Sequence, residues 1–200
     1  MINGVIISGC SGVGKTTIIE RLLRQHPEFV FSVSCTTRAA RPGEQNNIHY
    51  EFITREEFER RIEQKYFLEW EQVYLDFYGT PKHVLETAEG TTKVVIFELD
   101  TRGAVNLKEK FPQFSTVALL PPRLGDLAER LIQRSSETVQ TIKARQEHLR
   151  EELQRMKTFD FAVVNSEIDE TVAVVERIVL CLNYRTKYAL NHIEGLLKTL

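Results

Sequence analysis

Residues 9–16 read GCSGVGKT, two glycines five positions apart followed at once by a lysine and a hydroxyl residue. Glycines let successive backbone N–H groups turn inward around an anion, and a helix start adds partial positive charge. A lysine then reaches the outer phosphates and a threonine hydroxyl can ligate Mg²⁺. The stretch matches the phosphate-loop pattern G-x-x-x-x-G-K-[ST] in full, and assigns Gly9, Ser11, Gly12, Val13, Gly14, Lys15, Thr16 and Thr17 to a nucleoside triphosphate. A second anion site is suggested by SCTTRAARPGE, residues 34–44, where Arg38 and Arg41 follow a run of hydroxyls and precede the Pro42-Gly43 turn. Arginine forks fit phosphate or carboxylate oxygens, although a solvated basic loop would carry the same letters. Glu98 and Asp100, two apart at the end of an apolar run, are expected to leave one face of a strand end and to meet Mg²⁺ through water. Arg130 and Arg134, an i,i+4 pair, and Arg145 beyond them are candidate phosphate clamps; a solvated face shared with Glu129 and Glu137 explains the same spacing.

The elements that must hold these groups follow from periodicity. Val5–Ser8 is a short apolar run that predicts a strand, and Ile18, Ile19, Leu22 and Leu23 after the glycines fall at helical spacing. Further buried strands are predicted at 93–100, 114–121 and 159–165, each separated by helix-like sequence. The expected class is α/β, a doubly wound, mainly parallel sheet with the phosphate loop after its first strand. Residues 33–83 differ in texture, with HYEFI and FLEWEQVYLDFYG around the helical REEFERRIEQ, and predict an inserted α+β unit. Residues 123–158 are polar with few apolar anchors and predict a helical lid. The division is core with phosphate loop (1–32), insertion (33–84), core (85–122), lid (123–158), and core with a C-terminal helix (159–200). Ile193, Leu196, Leu197 and Leu200 form one apolar stripe in that last helix, to be buried on the core or on another copy. Monomer and homo-oligomer stay open.

Composition narrows the class. With 200 residues, 42% hydrophobic and 27% charged at a net charge of -2, the chain lacks the basic excess of a nucleic-acid or membrane-surface binder. Three cysteines, Cys10, Cys35 and Cys181, share no metal-ligand spacing and suggest neither a disulfide framework nor zinc, but a reducing compartment. The start has no basic region or small-residue cleavage site, and no run reaches the ~20 apolar residues that span a bilayer, so a cytoplasmic enzyme is expected.

Behind SGVGKTT come SVSCTTRAARPGE, HYEF, REEFE, FLEW and YGTPK in that order, with LAERL and NS later. Together these motifs resemble guanylate kinase from about residue 4 to about residue 165. The resemblance implies a nucleoside monophosphate kinase with core, monophosphate-binding and lid parts, which moves the γ-phosphoryl of ATP, with Mg²⁺, to GMP. Position by position it places Ser34, Arg38, Arg41, Tyr50 and Tyr78 at the GMP phosphate, with Glu44 nearby, and Glu69, Thr80 and Asp100 toward guanine. It makes Lys15, Arg38, Arg41, Arg130, Arg134 and Arg145 the catalytic cations and brings Asn165 to the ATP site. Guanylate-kinase-like units also occur as non-catalytic interaction modules, which typically lack a working phosphate loop; here Gly14, Lys15 and Thr16 are intact. A kinase for another monophosphate is opposed by Glu69 with Thr80. Four positions depart from the family's pattern: Cys35 for histidine, Arg102 for glutamine, Arg123 for serine, and Glu98 for aspartate. Arg102 is expected to set an extra cation near the sheet edge, and Cys35 to be buried and inert.

Overall fold

The computed structural model describes residues 2–73, 75–89, 93–123, 139–185 and 190–198. The β-branched run after Met1 forms β1 (Asn3–Gly9), and alternation sends its side chains to opposite faces. Val5 and Ile7 join Ile18, Ile19 and Leu22 of α1 (Lys15–Gln25), while Ile6 joins a second cluster on the other face. Three short strands follow: β2 (Val30–Ser32), β3 (Ser34–Thr36) and β4 (Tyr50–Phe52). Helix α2 (Arg55–Glu63) begins where Thr54 accepts a hydrogen bond from the Glu57 N–H at 3.2 Å, the cap that the T-x-x-E spacing encodes. Strands β5 (Phe67–Val73) and β6 (Asp76–Pro81) pair antiparallel, and α3 (His83–Ala88) returns the chain to the core.

The core then adds β7 (Val94–Glu98), α4 (Thr101–Lys110), β8 (Ser115–Leu120), α5 (Val139–Met156), β9 (Phe161–Val164) and α6 (Ile168–Cys181). A single 3₁₀ turn and α7 (Leu190–Leu197) close the described chain. The main sheet has the order β2-β7-β1-β8-β9, and every pairing in it is parallel. Helices α1 and α6 bury Leu22, Val172, Val175 and Val179 on one face, and α3 and α4 bury Val84, Ala88, Ala104 and Leu107 on the other. This is the doubly wound α/β class. The smaller sheet has the order β4-β3-β6-β5 and its own core of Phe58, Phe67, Phe77 and Cys35.

Several expectations change in detail. The predicted strands at 93–100, 114–121 and 159–165 are each shorter, since their outer residues form caps and turns. FLEWEQVYLDFYG is two strands of a hairpin. The segment 123–158 is less detached than its polarity suggests: Met156 is buried in the core, with Leu149 and Leu153 packed against it. Those three residues lie at i, i+4 and i+7, which puts one apolar stripe of α5 against the sheet. Ile193, Leu196 and Leu197 are exposed on α7, so among the described residues the tail stripe is not buried on the core; Leu200 lies outside them. No helix among the described residues is long and apolar enough to cross a membrane.

Candidate nucleotide site

The loop between β1 and α1 is set by backbone conformation. Gly14 caps α1 at φ 100°, a left-handed conformation that glycine adopts freely, and a Cβ there would meet Asn165 Nδ2 at 2.9 Å. Asn165, 5% exposed after β9, donates from Nδ2 to the Val13 carbonyl at 2.7 Å and accepts from Thr171 Oγ1 at 2.9 Å. Asn165, expected at the ATP site, here holds the loop through its Val13 carbonyl. Lys15 curls across the loop and donates to the carbonyls of Gly9 at 2.7 Å and Cys10 at 3.4 Å. Ser11, Thr16 and Thr17 are exposed around the loop.

Thr16 Oγ1 donates to Glu98 at 3.0 and 3.3 Å, so the hydroxyl and the carboxylate share one spot at the end of β7. Burial pushes the Glu98 carboxyl above its ordinary range, against the pull of Lys15 and Thr16. The same-face argument for Asp100 does not carry over: β7 ends at Glu98, and Asp100 is the N-cap of α4, its Oδ1 accepting from the Gly103 N–H at 2.8 Å. Thr16 and Glu98 are hard oxygen groups suited to Mg²⁺, an ion that keeps several waters and binds through few protein ligands.

Glu98 also lines a small cleft with Ser34, His49 and Tyr50, which joins the phosphate loop to the inserted unit. Arg38 lies 5.2 Å from the Tyr50 ring centroid and 5.6 Å from that of Phe52. Its two Nη groups grip Glu44 at 2.7 and 2.9 Å, and Glu44 also accepts from the Arg41 backbone N–H at 2.7 Å. Glu44 is therefore the orienting partner of Arg38. Among the described residues the buried Arg38 Nε has no hydrogen-bond partner, which leaves a donor suited to an anion. Tyr78 stands edge-on to Tyr50 at 6.0 Å between centroids, and burial followed by the Glu98 charge pushes the Tyr50 phenol up. Arg41 itself is exposed.

Thr80 lies two residues beyond Tyr78 on β6 and donates to Glu69 Oε1 at 2.5 Å. Glu69 is 4% exposed. Burial, with Asp100 and Glu71 adding like charge, lifts its carboxyl from 4.5 to about 7, while Thr80 pulls the other way. A Cβ on Gly103 would meet Glu69 Oε2 at 2.9 Å and Asp100 Oδ1 at 3.0 Å, so the glycine is what lets α4 approach both carboxylates. The structure thus unites Glu69, Thr80 and Asp100, drawn from three elements. Arg38, Glu44, Tyr50 and Tyr78 stand together nearby, with Ser34 opposite Tyr50 in the β3–β4 register.

The guanylate kinase family model matches residues 1–181. The chain belongs to the guanylate kinase family. A guanylate kinase of Desulfitobacterium hafniense is 39% identical over 183 residues, covering 92% of each chain. One from Thermotoga maritima is 40% identical over 174 residues, covering 87% of this chain and 84% of the relative. The crystal structure of guanylate kinase from Anaplasma phagocytophilum superposes with a TM-score of 0.78 at 27% identity, over 92% of this chain and 88% of that one.

Some groups of this guanylate kinase fold stand elsewhere than expected, and others were not anticipated. Arg130 and Arg134 lie outside the described residues, as does the side chain of Arg145 on α5. Arg102, in the first turn of α4, reaches Glu151 of α5 at 3.3 Å, so its charge has a partner there. Arg123 is exposed. Cys35 is fully buried, its thiol pushed up to about 12 by burial and by Glu51, as expected of an inert cysteine. Glu152 of α5 was not anticipated. It is 8% exposed, beside Cys10 and Lys15, with His148 at 3.8 Å, and burial raises its carboxyl. Its buried position beneath a polar stretch left no trace in the local pattern.

Proposed function

We propose that this guanylate kinase transfers the γ-phosphoryl of ATP to GMP, giving ADP and GDP. The observations that support the reading are an intact phosphate loop bonded through Thr16 to Glu98, and a buried Glu69–Thr80 pair of the inserted unit set against Gly103 of the core. Lys15 leaves its loop carbonyls to meet the β- and γ-phosphates and takes up the charge that grows on the transferring group. Thr16 and Glu98 would hold Mg²⁺, which would supply positive charge against the phosphates. Arg38 and Arg41, with the phenols of Tyr50 and Tyr78 and the Ser34 hydroxyl, hold the GMP phosphate and aim its oxygen at the donor. That oxygen is already ionised, so alignment does the work and no dedicated base is required. Glu69 accepts from the two adjacent N–H donors on the guanine edge, with Thr80 fixing its rotamer and Asp100 beside it. Arg130, Arg134 and Arg145 are the lid cations over the phosphates. The site is assigned to nucleotides alone, not to nucleic acid or membrane, and the protein to the cytoplasm.

A coupled assay of nucleoside diphosphate formation, with ATP-Mg²⁺ and GMP, AMP, CMP or UMP in turn, tests this. Turnover restricted to GMP is expected; equal turnover of AMP would overturn the base assignment, and none with any acceptor would overturn the enzyme reading.

A further inference from the structure

The GMP-phosphate pocket is carried on one of the weakest elements of the fold. Strand β4 has three residues, sits at the edge of its sheet and pairs with β3 in parallel register Ser34↔Tyr50, Cys35↔Glu51 and Thr36↔Phe52, its outer side meeting a single isolated bridge to Asn46 among the described residues. Alternation puts Tyr50 and Phe52 on the face that carries the Arg38 guanidinium, and Glu51 with Cys35 on the opposite face, against α2. There Arg61 of α2 grips Glu51 with both Nη groups, at 2.8 and 2.6 Å, and donates from Nε to Glu57 at 2.7 Å. Cys35 completes the cluster: Arg61 Nη1 donates to its Sγ at 3.3 Å, and the thiol donates to Glu51 at 3.2 Å. The Arg61 and Glu51 side chains are 16% and 27% exposed, so this fork is shielded far more than an ordinary surface pair. The Arg61 guanidinium also lies 4.9 Å from the Tyr66 ring centroid, which limits its rotamers.

We infer that Arg61 and Glu51 are positioning residues of the acceptor site, a clamp behind β4 that sets the height of Tyr50 and, through the Tyr50 and Phe52 rings against which it lies, of Arg38. The inference rests on the assignment of Tyr50 and Arg38 to the GMP phosphate. A three-residue edge strand has too few ladder bonds to fix its own position against an incoming dianion; a bidentate ion pair to a helix fixes it along two directions. The Glu51 carboxylate is ionised and held below the ordinary range, chiefly by its hydrogen bonds to Arg61. Neither residue touches the nucleotide, so the clamp acts on GMP affinity and leaves the ATP half-site alone.

The test is steady-state kinetics on the full-length wild type and on Glu51→Gln, Arg61→Met, Arg61→Lys and Tyr50→Phe, each checked for a native melting transition. Expected is a rise of ~5- to 20-fold in KM for GMP in Glu51→Gln and Arg61→Met, with KM for ATP unchanged to within about two-fold. Arg61→Lys, which keeps the charge without the fork, falls between wild type and Arg61→Met. A merely structural role would lower the melting temperature and the active fraction, and leave both KM values where they were. A folded Glu51→Gln with wild-type KM for GMP, beside a Tyr50→Phe in which it rises, overturns the clamp. An unchanged KM for GMP in Tyr50→Phe overturns the acceptor-site assignment, and the clamp with it. Should Arg61→Met not fold, Glu51→Gln, which keeps side-chain shape, decides alone.

Discussion

Replacing Glu69 by glutamine should move stability and activity in opposite directions. In the folded protein without nucleotide the carboxyl ionises at about 7 instead of 4.5, chiefly because burial removes it from water. At 1.36 kcal/mol per unit, ionised Glu69 therefore costs the folded state about 3 kcal/mol. The sign follows from the raised value: the cost is absent below about pH 4.5, grows as pH rises through about 7, and is complete above it. Glutamine keeps the shape, still accepts from Thr80 and carries no charge beside Asp100. Without nucleotide, Glu69→Gln should thus melt about 5–10 °C above wild type at pH 8.5 and close to it at pH 5. With GMP the order reverses in function, because glutamine presents one acceptor and one donor to an edge that offers two donors. Loss of a hydrogen bond to a charged group costs ~1.5–3 kcal/mol, a fall of roughly ten- to a hundred-fold in kcat/KM for GMP, with AMP affected much less. Melting curves at both pH values and kcat/KM for both nucleotides provide the assay. An unchanged GMP to AMP ratio, or a mutant no more stable than wild type at pH 8.5, would refute the placement of this carboxylate.

Lys15→Ala should lower kcat by ~10³-fold while circular dichroism shows an intact fold, since the ammonium acts on transition-state charge; near-normal turnover would contradict its role. Gly14→Ala should destabilise by about 1–2 kcal/mol from the left-handed backbone alone and weaken ATP binding as Asn165 is pushed off Val13, both readable by melting with and without ATP. His26 is predicted to make stability fall with rising pH: burial disfavours its charged form, but hydrogen bonds to Glu176 at 2.6 Å and Glu28 at 3.0 Å outweigh it and raise the ring's value above 6.5. The advantage of wild type over His26→Gln should be full below pH 6.5 and vanish as pH climbs past the raised value; a gap constant from pH 5.5 to 9 would contradict this.

What the sequence reveals depends on how local the physics is. The phosphate loop is legible because its glycines, lysine and threonine act through eight consecutive residues and their own backbone. Strand β2 escapes notice because Val30–Ser32 is three residues long, and its partner β7 lies more than sixty positions away. The Glu51–Arg61 clamp is invisible for another reason: REEFERRIEQ reads as a solvated charged helix, and only the fold shows that one of its arginines turns inward. Asp100 was misread through strand alternation because the strand stops two residues before it. Glu69, Thr80 and Asp100 could be grouped only by resemblance, since no local pattern relates two strands of an insertion to a helix cap in the core.

The bond from Asn165 to the Val13 carbonyl spans 152 positions, and it has a bearing on how the chain is made. β1 is the middle strand of the main sheet, yet its neighbours are β7 and β8, and the side chain that steadies its loop follows β9. On a ribosome β1 emerges some ninety residues before its partner β7, and its loop has no brace until Asn165 and Thr171 have left the exit tunnel. A nascent chain halted before β9 carries the whole phosphate-binding motif and lacks the brace that holds its Val13 carbonyl.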